Sequence, residues 1–189
     1  MALQDWQLAV ASYTDVLQVV PGDSTAHHRA SGLYHEKLFK FADAFAIDQH
    51  WVEQHPADLA ARSHFAEEHF TTGRFDAYTQ CIIPLLEHPS IAPSMKIALR
   101  AIEIANLLAL QKTELVPGKI EQLHEIMASQ PEDFTVDWPF AGTKYFISHH
   151  ETLAPYSAWL LQLFEALEGA NRQAILVALQ QARAQFQAF

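Results

Sequence analysis

The stretch DWPFAGTKYF occupies residues 137–146 and holds Trp138, Gly142 and Tyr145 at intervals of four and three residues. Residues that are three, four or seven positions apart lie on one face of an α-helix. The spacing therefore predicts a helix over 137–149 that carries the two aromatic side chains and the glycine on one face. The spacing alone does not explain why one of the three residues is a glycine.

The composition is that of a chain with an extensive core and few charges. Of its 189 residues, 50% are apolar and 18% are charged, against roughly a quarter charged in ordinary soluble domains. This length predicts a single domain over 1–189. A formal net charge of -10 without a basic run argues against a nucleic-acid partner and against binding to an anionic membrane.

Three features of the sequence bear on its compartment. The single cysteine, Cys81, excludes an intramolecular disulfide and is typical of a reducing compartment. The first ten residues, MALQDWQLAV, contain no basic region ahead of a long apolar stretch, so we expect no secretory signal. The apolar run 97–110 carries polar residues at helical spacing, which indicates a buried helix instead of a membrane span. We therefore expect a soluble, cytoplasmic protein.

Amphipathic helical segments follow one another along the chain, and strand signals are nearly absent. The breaks between segments carry helix-ending and helix-capping residues such as Pro21, Gly22, Asp23 and Gly73. The predicted helices are 5–20, 24–38, 41–55, 57–72, 75–88, 93–112, 118–130, 137–149, 153–168 and 171–187.

A repeat is visible in the positions of four prolines, each of which follows the second helix of a predicted pair. They are Pro21, Pro56, Pro89 and Pro131, at spacings of 35, 33 and 42 residues. A period near 34 residues that contains two helices is the signature of a helical solenoid.

Within this period, Trp138, Ala141, Gly142 and Tyr145 match the pattern W-x2-L-G-x2-Y with alanine in place of leucine. The chain thus resembles the tetratricopeptide repeat proteins. In that family the glycine lets the paired second helix approach closely, and Ala154 matches the family's small residue early in that second helix.

The resemblance implies an all-α fold of about ten helices, arranged as a superhelical solenoid of antiparallel helix pairs. The implied units are a half repeat at 5–21, pairs at 24–56, 59–89, 93–131 and 134–168, and a capping helix at 171–187.

The resemblance also implies a function, that of a non-catalytic scaffold or adaptor that holds a peptide or helix segment of a partner protein in a concave groove. The surface expected there is apolar at its C-terminal end and mildly acidic in the middle, which suits a partner with apolar anchors and some basic character. The groove residues it implies are His28, His35, Ser63, Glu67, Phe70, Thr143 and Phe146.

Eleven histidines in an acidic chain raise the question of a metal site. His64 and Glu68 share a helix face, and Glu121 and His124 have the Glu-x-x-His spacing of di-iron bundles. No second Glu-x-x-His and no H-E-x-x-H motif accompanies them. The pattern therefore favours ordinary polar helix residues, and we predict neither a metal nor another cofactor.

No residue is predicted to be catalytic, because no nucleophile elbow or phosphate-binding glycine loop occurs. Two alternatives to the scaffold stay open. One is an all-α enzyme or metal-binding protein that uses pairs of histidine and glutamate. The other is a regulatory module whose surplus of apolar residues serves self-association as a homo-oligomer.

Overall fold

The computed structural model describes residues 3–169 and 172–186, and over these ranges the protein is all-α. This part of the chain forms ten α-helices and two 3₁₀ helices, Thr113–Leu115 and Glu151–Tyr156, and contains no strand. The α-helices are α1 Leu3–Val19, α2 Ser24–Glu36, α3 Phe41–Gln54, α4 Leu59–Thr71, α5 Phe75–Leu86, α6 Pro93–Ala109, α7 Val116–Ala128, α8 Ala141–His149, α9 Ser157–Gly169 and α10 Arg172–Phe186. The predicted all-α class is confirmed, as is the number of about ten helices. The predicted domain 1–189 and capping helix 171–187 extend to positions outside the described residues, namely 1–2, 170–171 and 187–189.

The helix ends have the chemistry that the sequence predicts. The Asp23 carboxylate accepts a hydrogen bond from the Ala26 N–H at 2.8 Å and caps α2. Gly73 follows α4 with a φ of 75°, a left-handed conformation that glycine adopts without a steric penalty. Local sequence therefore determines where these helices begin and end.

Successive helices are neighbours through most of the fold. Each helix from α1 to α6 packs against the next one, and α10 packs against both α7 and α9. Short connections between successive helices are typical of antiparallel neighbours. This order of neighbours is compatible with a stack of helix pairs, and the solenoid itself stays a prediction.

The centre of the core is α6, which contacts α4, α5 and α7. All of its residues from 97 to 108 are buried except Arg100, which is half-buried. Arg100 and Lys119 both pair with the Glu103 carboxylate, at 2.6 and 2.9 Å. The long apolar run is thus a core helix, and none of the helices described has the length and apolar character that a membrane crossing requires.

The predicted helix over 137–149 is wrong in its first four residues. The α-helix α8 begins at Ala141, so Trp138 lies before it and does not share a helix face with Gly142 and Tyr145. The predicted helix over 153–168 begins as the 3₁₀ helix Glu151–Tyr156 and becomes α-helical only at Ser157. Ala154 is exposed within that 3₁₀ helix, so it does not take the packed position of a repeat's second helix.

Helix α8 lies against α2 and α4, two of the helices that were expected to line an open groove. A Cβ atom at Gly142 would lie 2.1 Å from Cδ2 of His35 and 2.9 Å from the backbone oxygen of His35. The glycine therefore permits a close helix contact, as the resemblance implies, but the closest contact is with α2 and not with the paired helix.

Replacing Gly142 with alanine is expected to destabilise the protein by about 1–3 kcal/mol, because the added methyl group overlaps with the His35 ring and backbone. Gly118 in α7 gives a matched control, since nothing lies within 4 Å of a Cβ added there. Urea unfolding followed by circular dichroism measures both variants. Equal stability of Gly142→Ala and Gly118→Ala would contradict the close contact between α8 and α2.

Candidate functional site

Ionisable side chains are buried together where α2, α3, α4 and α8 meet. We call this group the acidic cluster; it consists of His35, Glu36, Asp48, Glu67 and Glu68. Asp48, Glu67 and Glu68 are each 1% exposed, and His35 is 5% exposed. Ionisable residues are rarely buried to this degree without a partner that compensates their charge.

The spacing of residues along two helices builds this cluster. In α2, His27, Ser31 and His35 follow one another at intervals of four, and all three are buried. In α4, Ser63 and Glu67 have the same spacing and are buried as well. Residues four apart share one helix face, so each helix turns a polar stripe toward the interior.

The Glu67 carboxylate is the best-satisfied group of the acidic cluster. It accepts hydrogen bonds from the Thr143 hydroxyl at 2.5 Å and from the Trp138 indole N–H at 3.1 Å. Its Oε1 lies 3.5 Å from Nε2 of His35. Burial would raise the pKa of Glu67, but the charge of His35 and the neighbouring ring of His64 outweigh burial and hold that pKa at about 2.

His35 lies between two carboxylates. Its Nε2 is 3.5 Å from Glu67 and 3.6 Å from Glu36, and it has no hydrogen-bond partner. Burial would lower the pKa of His35, but the charge of Glu67, helped by Glu36 and Asp48, outweighs burial and raises it. This ring nitrogen is therefore held within an anionic environment without a hydrogen bond of ordinary length.

Glu36 lies at the amino end of α8. Its Oε2 accepts a hydrogen bond from the Gly142 N–H at 3.2 Å, an arrangement that the helix dipole favours. Burial and the charge of Glu67 raise the pKa of Glu36, against the opposite influence of His35 and the N–H groups of Gly142 and Ala141.

Glu68 and Asp48 leave several oxygen atoms unpartnered. The Ser31 hydroxyl donates to Oε1 of Glu68 at 3.2 Å, whereas Oε2 of Glu68 and both oxygens of Asp48 have no hydrogen bond. Nε2 of His27 lies 2.8 Å from Oδ1 of Asp48, an ion-pair distance. Burial raises the pKa of Glu68 well above its usual value, and the charge of Asp48 and a hydrogen bond that the two carboxyl groups can share raise it further.

A cavity of about 260 Å³ opens onto the acidic cluster. Neither lysine nor arginine lines it, so its walls are acidic and imidazole-rich. The residues around it are His28, Ser31, Gly32, His35, Glu36, Asp48, Ala60, His64, Glu68 and Pro139. Beside the cavity, one ligand atom from each of His35, Glu36 and Glu67 lies within 4.8 Å of the others, and no other such group occurs among the described residues.

The structure brings together several residues of the predicted groove. His35, Glu67 and Thr143 are in mutual contact through Glu67. The Phe70 and Phe146 rings lie edge to face with their centroids 5.0 Å apart. His28 is exposed at the cavity, with Nε2 3.8 Å from Oδ2 of Asp58.

The prediction that these residues line an open groove is, however, wrong for most of them. Phe70, Ser63 and Thr143 are each 0% exposed, and Glu67 is 1% exposed. Trp138 and helix α8 cover these residues, and both donate hydrogen bonds to Glu67, from the Trp138 indole and from the Thr143 hydroxyl. Phe70 is accordingly a core residue instead of a partner contact.

The residues of the repeat pattern are likewise occupied within the chain. Trp138 donates to Glu67 and stacks on His64 at 4.3 Å between ring centroids. Tyr145 stacks on Phe39 at 4.0 Å. Ala141 begins α8, and the Ala141 N–H faces Glu36.

Sequence reasoning missed Glu36 and Asp48 as members of the site. Asp48 stands at a position of α3 that the buried Ala44 and Trp51 mark as inward-facing. A charged residue at such a position is a signal for a buried polar site. Glu36 gives no comparable signal, because it ends its helix and is brought to the cluster by α8.

Glu68→Gln is expected to stabilise the metal-free protein near pH 8 and to leave its stability almost unchanged near pH 4. The folded-state pKa of Glu68 lies above the ordinary value of 4.5, so its contribution to stability is lost as pH rises through that window. Glutamine keeps the shape of the protonated carboxyl group and has no proton to lose. Thermal melts in a chelator at both pH values test this expectation.

Glu53→Gln gives the control, since Glu53 is exposed on α3 and bonds only to Gln49 among the hydrogen bonds described. It should show no difference from the wild type that depends on pH. A Glu68→Gln effect of the same size at both pH values would contradict the raised pKa.

Comparison of the chain with protein-family models, with curated proteins and with solved structures finds no match in any of the three. The resemblance to tetratricopeptide repeats therefore depends on the residues quoted above alone. The acidic cluster is the feature of the described residues whose chemistry bears most directly on function.

Proposed function

We propose that the protein binds a divalent transition-metal ion through His35, Glu36 and Glu67. The observation that carries this proposal is the convergence of three ligand atoms, within 4.8 Å of one another, beside a cavity. Metal binding is one of the alternatives that the sequence left open. The three proposed ligands differ, however, from the His64–Glu68 and Glu121–His124 pairs that suggested it.

The separations between ligand atoms support one shared ion. Nε2 of His35 lies 3.5 Å from Oε1 of Glu67 and 3.6 Å from Oε1 of Glu36. Two atoms that bind one zinc ion at about 2.0–2.1 Å in a tetrahedral arrangement lie roughly 3.3–3.4 Å apart. Small side-chain rotations would therefore complete the coordination without a change of fold.

The charge of the site supports a cation. Four carboxylates lie beside only two buried imidazoles, those of His27 and His35, and the fold raises the pKa of Glu36 and of Glu68. A buried anion without a partner is unfavourable, so a divalent ion would stabilise the ionised carboxylates and release protons on binding. The absence of lysine and arginine from the cavity wall leaves this role to a bound cation.

The surroundings hold two of the ligands in place. Glu67 is oriented by Trp138 and Thr143, and Glu36 by the Gly142 N–H. Such outer contacts fix the direction of a ligand and tune its affinity for the metal. Three protein ligands beside a cavity leave a position for water or a small molecule, as in catalytic metal sites. One imidazole and two carboxylates suit Zn²⁺, Mn²⁺ or Fe²⁺ better than a soft ion.

A second candidate function is the partner-binding scaffold that the sequence predicts. It is favoured by a largely apolar cleft of about 350 Å³ between α1 and α3, lined by Leu17, Ile47 and Trp51 among others. A partner's helix or peptide with apolar anchors would fit there, and so would a second copy of the chain. We place either activity in the cytoplasm, because the free thiol of Cys81 suits a reducing compartment.

For metal binding, His35→Gln and Glu36→Gln are each expected to weaken Zn²⁺ or Mn²⁺ binding at least about 10-fold, because each removes one of three ligands. Isothermal titration calorimetry of the chelator-treated protein measures the affinity. In buffers of different ionisation enthalpy it also measures the protons released, which should be greater than zero.

His124→Ala is the control, because His124 belongs to the Glu-x-x-His pair of the sequence and lies on α7, away from the cluster. It should bind metal as the wild type does. A wild-type protein that takes up neither ion, or a His35→Gln variant with unaltered affinity and native circular dichroism, would refute the proposal.

For partner binding, Ala46→Arg is expected to abolish capture of a partner or self-association, because the exposed Ala46 lines the cleft and a long side chain would fill it. Ala42→Arg places the same side chain at an exposed position of α3 outside the cleft lining. Light scattering on both variants measures self-association, and affinity capture from a native lysate measures partner binding. Identical behaviour of the two variants would exclude the cleft as the binding surface.

A further inference from the structure

We infer that the cavity beside the proposed metal centre binds a small primary ammonium ion, held by Asp48 and Glu68. This inference names a ligand class and rests on the proposed function only for the position of the metal, because ammonium binding needs no metal. It is based on carboxylate oxygens of Asp48 and Glu68, which are not ligands of the proposed metal ion.

Asp48 and Glu68 line the cavity and are each 1% exposed. No N–H or hydroxyl group hydrogen-bonds to Oε2 of Glu68 or to either oxygen of Asp48, although Nε2 of His27 lies 2.8 Å from Oδ1 of Asp48 and the two carboxyl groups are close enough to hydrogen-bond to each other. Two neighbouring carboxylates with so few donors are costly to bury. A ligand rich in N–H or O–H donors would supply the missing hydrogen bonds.

The charge around the cavity favours a cationic ligand. A divalent ion at His35, Glu36 and Glu67 would leave the carboxylates of Asp48 and Glu68, which have only ring nitrogens near them, that of His27 at 2.8 Å from Asp48 and Nδ1 of His35 at 4.0 Å from Glu68. The cavity wall contributes no lysine or arginine. An anionic or phosphorylated ligand would therefore meet only repulsion, whereas a monocation would complement the wall.

The geometry of these groups favours an ammonium ion over a second metal ion. Asp48, Glu68 and His27 do not bring three ligand atoms within 4.8 Å of one another. A primary ammonium group suits neighbouring acceptors on two different side chains, because its three N–H bonds can reach both carboxylates at once. The Ser31 hydroxyl beside Glu68 offers a further acceptor.

The size of the cavity favours a small ligand. At about 260 Å³, the cavity is smaller than the roughly 300–1,000 Å³ of sites for drug-sized ligands. Gly32 and Ala60 leave room in its wall, and the imidazoles of His28 and His64 supply flat surfaces near them. A short alkyl amine fits this description, whereas a quaternary ammonium ion would lack the N–H donors that Asp48 and Glu68 need.

The test compares four probes of similar size on the chelator-treated wild-type protein. They are n-butylamine, its neutral analogue 1-butanol, tetramethylammonium and butyrate. Titration followed by amide NMR is expected to give saturable shifts in α2, α3 and α4 with butylamine alone. Equal shifts with butanol or with tetramethylammonium, or no saturable shift with butylamine, would overturn the inference.

Variants locate the binding group. Asp48→Asn and Glu68→Gln are each expected to weaken butylamine binding at least about 10-fold, because each removes a buried charged acceptor. Glu53→Gln, an exposed carboxylate on the same helix as Asp48, should bind as the wild type does. Should Asp48→Asn fail to fold, Glu68→Gln and the four-probe comparison still decide the matter, and unaltered affinity in a folded variant counts against the inference.

The two proposals fail separately. Metal titration without amine tests only His35, Glu36 and Glu67, and butylamine titration in chelator tests only Asp48 and Glu68. Butylamine binding by a protein that takes up no metal would support the ammonium site and refute the metal centre. Metal binding without butylamine binding would support the metal centre and refute the ammonium site.

Discussion

The buried carboxylate of Glu67 links parts of the chain that are far apart in sequence. It accepts hydrogen bonds from Trp138 and Thr143, which lie 71 and 76 residues further along, and it faces His35 on α2. Hydrogen bonds to a charged group are stronger than neutral ones, and a buried environment strengthens them further. The same environment makes a lost partner costly. These bonds therefore help to hold α8 on α2 and α4, together with the Gly142–Glu36 hydrogen bond and the contact between the Phe70 and Phe146 rings.

Other unusual features lie near Glu67. Trp138 precedes α8 and donates its indole N–H to the carboxylate, and Pro139 directly after it disfavours a helical conformation at Trp138. Within α8, Gly142 comes so close to His35 that no side chain fits, and its N–H donates to Glu36. The start of α8, its glycine and the hydrogen bond at its amino end thus all lie at the acidic cluster.

The acidic cluster breaks the ordinary rules of a helical core. Asp48 and Glu68 are buried with unpaired oxygens, although an apolar residue of similar size would remove that penalty. Proteins depart from local consistency mainly at functional sites. The core around α6 is mostly apolar by comparison, and its Glu103 is paired with Arg100 and Lys119, although Oδ1 of the buried Asn106 also lacks a hydrogen bond.

Sequence patterns predicted the helices well and the site only in part. The ends at Asp23 and Gly73 follow from local chemistry, which acts over a few residues. The same reasoning placed Trp138 inside a helix, because spacing cannot reveal a hydrogen-bond partner 71 residues away. His35 and Glu67 were selected as groove residues for their helix face, and that face proved to be covered.

The all-α class and most helix boundaries could be predicted from the sequence, since each depends on residues within two helical turns. The folded chain alone shows that α8 covers the polar faces of α2 and α4, that Glu36 and Asp48 join them, and that a cavity remains beside them. Charge compensation and burial depend on distances through space, which spacing along the chain does not reveal. Residues from α2, α3, α4 and α8 lie within a few ångströms of one another only after the chain has folded.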